Sequence, residues 1–209
     1  MIAWYLARGA GISAYLALSV ATAMGAVTAR RTVDLERRVV LQYVHRAAAI
    51  AGVMLLAVHV SMLMVDTYAN VGVLGAFLPF AAGYRPAAVA LGVMSMYLLV
   101  AVAVSGVLRA RFTASARAVR LWRGIHLSAY AAWAASAWHF SVAGTDSGQS
   151  WARAVLFGGI AVVGIGVLAR LTDRDLITDR RGAPVRSTGL NHATPPVRSS
   201  PSATIGARR

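Results

Sequence analysis

Long apolar runs are the feature that most restricts how this chain can fold. Runs of eighteen or more predominantly apolar residues recur along it, and each could cross a hydrocarbon core of about 30 Å as a helix. A hydrophobic share of 58%, a mean hydropathy of +0.61 and a charged share of 13% are typical of the same class of protein. The sequence therefore predicts an all-α fold, an integral membrane bundle of five transmembrane helices. The predicted spans are residues 3–27, 39–65, 86–108, 119–143 and 152–170.

The net charge of +14 predicts an orientation in the membrane. Every one of the 21 lysine and arginine positions is arginine. Many of them cluster between spans one and two, between spans three and four, and after span five, whereas the opposite connections carry few charges. The positive-inside rule then puts the amino terminus outside and the carboxyl terminus in the cytoplasm. This reading of the basic charge is favoured over nucleic-acid binding.

The remaining segments predict location and domain organisation. The use of arginine alone, with abundant alanine, suggests a GC-rich bacterial genome and thus a multi-pass protein of the bacterial plasma membrane. Residues 172–209 are rich in Arg, Pro, Ser and Thr and are predicted to form a disordered cytoplasmic tail after a membrane domain of residues 1–171. Within the external connection 66–85, the apolar piece 74–80 is too short to cross and is predicted to lie along the outer surface as a lid.

Four of the five histidines form two pairs, one in span two and one in span four. His45 and His59 are fourteen residues apart, and His126 and His139 are thirteen apart. Fourteen helical steps leave two side chains about 40° apart in direction and about 21 Å apart in height. Each of two depths can therefore hold one histidine from each helix. Thirteen steps give a difference of about 140°, so a tilted or locally tightened helix, or different rotamers, must bring the second pair into line.

The residue types restrict what these histidines could bind. A zinc site needs three or four converging ligands, and a proton relay would favour carboxylates, which both histidine helices lack at mid-membrane. With no cysteine, thiolate-ligated clusters are excluded. Two opposed imidazoles suit a haem iron, whose porphyrin supplies four nitrogens; with both axial positions filled, electron transfer is the natural task. The chain lacks a C-x-x-C-H sequence, which predicts haem b held without covalent attachment. A haem-free transporter or structural subunit remains the alternative.

Three arginines are candidates for balancing the carboxylates of a bound cofactor. Arg8 lies one turn inside span one, where it either snorkels to the outer surface or pairs with such a carboxylate. Arg46 follows the inner histidine, and Arg85 precedes span three. Trp133, near the middle of span four, is a candidate for packing on a ring system. Small residues of span three are predicted to allow close helix packing; they are Gly92, Ser95, Ser105 and Gly106.

The paired histidine spacing resembles that of the ferric reductase-like transmembrane superfamily. This superfamily includes ferric reductases, the membrane domains of NADPH oxidases and the haem-binding subunit of a bacterial methionine sulfoxide reductase system. Weaker features of the chain are similar to its bacterial members, and the likeness covers about residues 1–170. These features are Trp4, Arg8 and Gly11 in span one, Tyr84-Arg85-Pro86 before span three, and Gly144-Thr145-Asp146 after the last paired histidine.

The resemblance implies two haem b groups, an inner one between His45 and His126 and an outer one between His59 and His139. It further implies an electron-transfer component of an oxidoreductase, with an external acceptor such as chelated ferric iron, quinone, oxygen or a secreted reductase. The chain departs from the family in having five predicted spans where six are common. It also shows no flavin- or nicotinamide-binding domain, so the expected electron donor is a separate cytoplasmic flavoprotein.

Overall fold

The structure, a computed structural model, is built from helices. It describes residues 1–30, 32–113 and 115–182, without the side chains of residues 113 and 174–182. All regular secondary structure within these residues is helical, which confirms the predicted all-α class. The helices are α1 (Ile2–Thr28), α2 (Leu35–Val65), α3 (Gly72–Phe77), α4 (Pro86–Val107), α5 (Ala116–Leu127), α6 (Ala129–Ala143) and α7 (Ser150–Gly182), and a short 3-10 turn, Arg109–Thr113, follows α4.

Four of these helices are long and apolar enough to span a membrane. They are α1, α2, α4 and the Ser150–Asp173 part of α7. They match the first, second, third and fifth of the predicted spans, the third ending one residue earlier than predicted, so the chain is a membrane-embedded helical protein. The predicted count of five spanning helices is not reached in the described part of the chain, because the fourth predicted span is not one helix.

The fourth predicted span, 119–143, divides at Ser128 into α5 and α6. The Ser128 amide donates to the carbonyls of both Gly124 and Ile125, at 3.3 and 3.1 Å, and its hydroxyl donates to the Ile125 carbonyl at 2.6 Å. A bond from residue i to i−3 tightens the turn, and a serine hydroxyl bonded back to the preceding turn reinforces this change. The prediction of a single helix was therefore wrong. With 12 and 15 residues, α5 and α6 are each too short to cross alone.

Both histidine-bearing segments begin at a capped helix start. The Asp34 carboxylate accepts from the Arg37 amide at 2.8 Å at the start of α2, and the Ser115 hydroxyl accepts from the Ala118 amide at 3.1 Å at the start of α5. These side chains satisfy amides that have no partner within the helix. Each cap fixes where its helix begins and thus the height of the histidine that follows.

The helices pack as two groups. α2 lies along α1, α5 and α6 pack on α4, and α7 packs mainly on α1. The buried residues of α1 are mostly alanines, which allow the helix axes to approach closely. In the described part of the chain, α2 has no extensive packing against α5 or α6. The two histidine-bearing segments therefore face each other without close backbone contact.

The two ends of the bundle differ in charge and in the segments that lie over them. We call the end with residues 29–30, 32–34, 108–113 and 115 the basic end, after Arg30, Arg109 and Arg111, and the end with residues 66–85 and 144–149 the α3 end. At the α3 end, the short helix α3 packs against α2 and α4. Four residues of connection 66–85 have a positive φ, namely Asn70, Gly72, Phe80 and Arg85.

The carboxyl-terminal helix runs past the predicted boundary at residue 171. α7 continues to Gly182, so the first part of the predicted tail is helical. Residues 183–209, including His192, lie outside the described residues.

Candidate functional site

The two histidines of the pair at the basic end are close enough to bind the same metal ion. The ring centres of His45 and His126 are 6.2 Å apart, and the ring planes make an angle of 68°. A histidine nitrogen binds a metal ion at about 2.0 Å, so two rings on opposite sides of one ion have centres roughly 6 Å apart. The separation between helices α2 and α5 therefore suits two ligands of a single metal ion.

The histidine pair at the α3 end lines one cavity. His59 and His139 both border a cavity of about 210 Å³, together with Arg8, Tyr15 and Asp146. This volume is below the roughly 300–1,000 Å³ of typical ligand pockets.

Three of the four paired histidines are anchored directly to a backbone carbonyl of a neighbouring helix. The Nδ1 atom lies 2.8 Å from the Ala21 oxygen in His45, 2.7 Å from the Ala7 oxygen in His59 and 2.8 Å from the Ala88 oxygen in His139. A carbonyl oxygen only accepts, so Nδ1 carries the proton and donates it. The lone pair of each neutral ring is then on Nε2, which is available as a ligand.

His126 reaches a carbonyl of α4 through a serine. Its Nδ1 atom is 3.3 Å from the Ser105 hydroxyl oxygen, and that hydroxyl donates to the Val102 oxygen at 2.7 Å. Because the hydroxyl hydrogen is used for Val102, the serine oxygen accepts from Nδ1. All four rings therefore carry the same tautomer. Metal-binding histidines commonly use their second nitrogen in this way, which fixes the ring orientation.

Each of the four rings also lies against a glycine, four residues after the carbonyl that anchors it. Positions i and i+4 lie on the same face of a helix, so carbonyl and glycine form one seat for one ring. The four seats are Ala7 and Gly11 for His59, Ala21 and Gly25 for His45, Ala88 and Gly92 for His139, and Val102 and Gly106 for His126.

The seats differ in how much space they leave. A Cβ atom added at Gly11 would lie 2.7 Å from His59 Nδ1, and one at Gly92 would lie 2.8 Å from His139 Cε1. The same atom would be 3.2 Å from His45 Cε1 at Gly25 and 3.8 Å from His126 Cε1 at Gly106. The rings at the α3 end thus exclude any side chain from their seats, whereas the seats at the basic end leave more room.

The sequence carried a signal for these seats that no motif revealed. Gly11 and Gly92, Gly25 and Gly106, and His45 and His126 are each 81 positions apart, while His59 and His139 are 80 apart. The chain therefore repeats one unit, an anchoring helix followed by a histidine helix. The single missing position falls between His126 and His139, where Ser128 tightens the turn. Gly92 and Gly106 were predicted only as packing residues, yet the space where a side chain would begin at each of them faces an imidazole ring.

An aromatic cluster lies between α1 and α6. The ring centre of Tyr15 is 6.4 Å from that of Trp133 and 5.4 Å from that of Phe140, and both pairs are stacked. The Trp133 indole donates to the Ser19 hydroxyl at 2.9 Å, and the Tyr15 hydroxyl donates to the Leu156 carbonyl at 2.9 Å. Trp133 was predicted to pack on a ring system; the rings it meets here are those of the protein. This cluster joins α1, α6 and α7 at mid-bundle.

At the basic end, a tryptophan holds His126 from a second side. The rings of Trp122 and His126 stack with centres 5.2 Å apart, and the Trp122 indole donates to the Ser105 carbonyl at 3.0 Å. The guanidinium of Arg109 lies 5.2 Å from the centre of the Trp122 ring, within the range of a cation–π contact. Ser105 therefore contacts both aromatic rings, through its hydroxyl and through its carbonyl.

The three predicted arginines occupy different places. Arg8 borders the cavity at the α3 end, forms an ion pair with Asp146 and lies over the ring of Trp4 at 5.8 Å. Arg85 is exposed at that end and donates to the Val142 carbonyl at 2.7 Å, and Arg46 is exposed on α2. Of the three arginines, only Arg8 lines the same cavity as a histidine pair. Its charged partner there is the carboxylate of Asp146.

The described residues contain no group of three or more His, Cys, Asp or Glu side chains that could hold a metal ion. Each level offers only two histidines. A metal ion bound there would therefore need most of its ligands from another molecule. The fold and the site thus define a membrane-embedded helical protein with paired histidines at two levels. Comparisons with protein-family models, curated proteins and solved structures found no match to this chain.

Proposed function

We propose that the chain holds two haem b groups and conducts electrons across the membrane. His45 and His126 would hold one group, and His59 and His139 the other. The observation that carries the proposal is the contact of all four Nδ1 atoms with an oxygen of a neighbouring helix, from which we infer that each ring offers Nε2. Iron in haem with two histidine ligands exchanges single electrons and has no open coordination position.

The seats of the rings support this fit. A carbonyl and a glycine fix each ring, so its ligand nitrogen needs no further positioning. Pairs of imidazoles suit a porphyrin, which already supplies four of the six ligands, better than a bare metal ion. Because α2 does not pack extensively on α5 or α6 in the described residues, the space between the pairs can widen with little loss of helix packing.

We further propose that α5 and α6 together form the fourth span, which brings the number of spans to five. Ser128 keeps helical dihedrals, with φ of −62° and ψ of −9°, so the chain continues in the same general direction through the tightened turn. The combined segment of residues 116–143 is long enough to cross about 30 Å. With five spans, the amino terminus and the α3 end lie outside, and the basic end faces the cytoplasm of a bacterial cell.

Charged and aromatic residues would then have distinct tasks. Arg8 would pair with a haem carboxylate at the α3 end and would give up part of its ion pair with Asp146. Arg46 and Arg85, which are exposed, are further candidates for pairing with haem carboxylates. The stacked rings of Tyr15 and Trp133 would fill the space between the two levels and keep water out of it. A separate cytoplasmic flavoprotein would supply electrons at the basic end, and an external acceptor would receive them at the α3 end.

The test is a reduced-minus-oxidised absorbance spectrum of the purified full chain in detergent, after expression with added haem. We expect sharp bands of six-coordinate haem b and two haems per chain on extraction. The variants His45→Ala, His59→Ala, His126→Ala and His139→Ala should each retain about one haem per chain, because each removes one of the two ligands at a single level.

His192→Ala is the matched control, since His192 is the only histidine outside the two pairs. This variant should keep two haems and an unchanged spectrum. A colourless wild-type preparation would overturn the proposal and favour the haem-free transporter or structural subunit. Equal loss of both haems from each single variant would contradict two independent levels.

A further inference from the structure

The connection 66–85 has an unusual composition for a loop between membrane helices. Its residues 67–84 contain no charged side chain. Loops that lie in water usually carry polar and charged residues. An uncharged stretch of this length, with valine, leucine and phenylalanine in it, is better suited to an apolar environment.

The inner face of the α3 segment, which we define as residues 72–80 and which comprises α3 and the turn after it, is packed on the bundle. Ala76 is 7% exposed and belongs to a buried cluster with Ala69, Val71 and Ala82. This cluster packs against partly buried side chains of three spanning helices, among them Trp4 of α1 and Val60 of α2. Val71 and Ala76 also border the cavity that contains His59 and His139. The segment therefore borders that cavity through Ala76, next to Val71.

The outer face of the same segment is apolar and exposed. Val73 is 61% exposed, Leu74 68%, Leu78 52% and Phe80 67%. With Phe77, which is 43% exposed, the segment has five large exposed apolar side chains on nine residues, and these would be costly to leave in water. Apolar patches of this kind mark contacts with another protein or with a membrane.

A hydrogen bond to α4 shows how deep the segment lies. The Tyr97 hydroxyl donates to the Phe77 carbonyl oxygen. Tyr97 is eleven residues from Pro86, the first residue of α4, and thus roughly 16 Å along the helix from that end. Even when a helical side chain points back toward the start of its helix, the tyrosine hydroxyl stays inside that end. The Phe77 carbonyl is therefore below the top of α4.

The length of α4 relates this depth to the bilayer. Its 22 residues make a helix of about 33 Å, close to the thickness of the hydrocarbon core, so Pro86 lies near the boundary of that core. A carbonyl inside the boundary lacks water and needs a protein donor. The Tyr97 hydroxyl provides this donor at the last residue of α3, where no helical partner follows.

We propose that the α3 segment lies within the bilayer leaflet at the α3 end and binds lipid acyl chains with its outer face. On one side of the segment is the cavity of His59 and His139, and on the other side is lipid, not water. This surface does not depend on what the histidines bind. A surface lid exposed to water, or a face covered by another protein or a second copy of the chain, would show different accessibility.

The absence of native cysteine makes a direct test possible. The variants Leu74→Cys and Phe80→Cys would be labelled with an environment-sensitive fluorophore and reconstituted into phosphatidylcholine vesicles. Quenching would be measured with iodide in the water and with nitroxides on the lipid acyl chains. Gln149→Cys, an exposed position in the other connection of the α3 end, is the matched control.

We expect acyl-chain nitroxides to quench both labels in the α3 segment several-fold more than the label at position 149, and iodide to quench them several-fold less. Size-exclusion profiles and thermal unfolding equal to those of the wild type would establish that the variants fold. Iodide quenching equal to that of the control would overturn the proposal in favour of a surface lid. Protection from both quenchers would overturn it in favour of a protein partner or a second copy.

Discussion

The two histidine pairs share one design, but the protein holds them with different tightness. At the α3 end, a Cβ atom in either glycine seat would come within 2.8 Å of the imidazole. At the basic end the nearest approach is 3.2 Å for His45 and 3.8 Å for His126, and His126 reaches its carbonyl only through Ser105. The same repeated unit thus gives a close seat at one end and a looser seat at the other.

The one-residue difference between the two histidine-bearing segments accounts for the loosest of the four seats, that of His126. Fourteen residues separate the histidines of α2, and thirteen separate those of α5 and α6. The tightened turn at Ser128 lies two residues after His126 and eleven before His139. The adjustment therefore falls close to His126, where the seat has room for it, and leaves the seat of His139 as close as that of His59.

The largest expected effect comes from filling a seat at the α3 end. Gly11→Ala should destabilise the protein by about 1–3 kcal/mol, because the new methyl group collides with His59 and the ring must leave its position. Under the proposed function, this variant should keep about one haem per chain, the one at the basic end. Thermal unfolding in detergent and haem extraction measure the two effects.

The control for this prediction lies two residues away on the same helix. A Cβ atom at Gly9 would meet nothing within 4 Å, so Gly9→Ala should keep or slightly raise the wild-type stability and retain two haems. If Gly9→Ala and Gly11→Ala behave alike, the methyl group acts through the helix backbone and not through the imidazole. The contrast between the two ends would then lose its basis.

A smaller effect is expected from the cluster between the two levels. Trp133→Phe keeps the stacking on Tyr15 but removes the donor to Ser19, which should cost about 0.5–1.5 kcal/mol. Because Trp133 lies six residues from His139 and seven from His126, both pairs should keep their ligands. Thermal unfolding gives the loss, and the haem content should stay at two. Selective loss of either haem would mean that the indole supports one level only.

The ion pair at the α3 end should contribute less. Arg8 and Asp146 have side chains that are 30% and 27% exposed, so water screens their attraction, and Asp146→Asn should cost about 0.2–1 kcal/mol. The cost should shrink in concentrated salt, since salt screens partly exposed charges. Asp34→Asn at the basic end is the matched control. Its partner Arg37 is 82% exposed and asparagine still caps a helix, so no measurable change is expected.

The sequence was sufficient for the long helices and insufficient for their details. α1, α2, α4 and α7 follow from apolar runs, because burial in a bilayer requires such runs and backbone bonding then requires helices. The division at Ser128 was not predictable, since a small neutral residue within an apolar run carries no signal for a tightened turn. The spacing of thirteen did indicate that some adjustment of the helix was needed.

The histidine positions were predictable as pairs, but their anchors were not. The contacts of His45 and His126 across the bundle agree with the depth calculated from helix geometry. Backbone carbonyls exist at every position, so no motif singles out Ala7 or Ala88 as an acceptor; the repeated glycines four residues after them could be interpreted only once the structure had placed the rings there. The pairing of Arg8 with Asp146 likewise depends on tertiary packing between residues 138 positions apart.

The smallest effect is expected at the loosest seat, and it makes the contrast between the two ends measurable. A Cβ atom at Gly106 would lie 3.8 Å from His126 Cε1, an ordinary contact, and alanine is up to about 1 kcal/mol more favourable than glycine inside a helix. Gly106→Ala should therefore leave the unfolding free energy unchanged or slightly raise it, and two haems should remain. At Gly25 the added Cβ atom would lie 3.2 Å from the ring, so the loss of unfolding free energy in Gly25→Ala should be larger than in Gly106→Ala and smaller than in Gly92→Ala. Gly92 and Gly106 lie on the same helix, so a difference between their alanine variants reflects the space beside each imidazole ring and not the stability of the helix. A loss at position 106 as large as that at position 92 would show that both ends grip their rings equally.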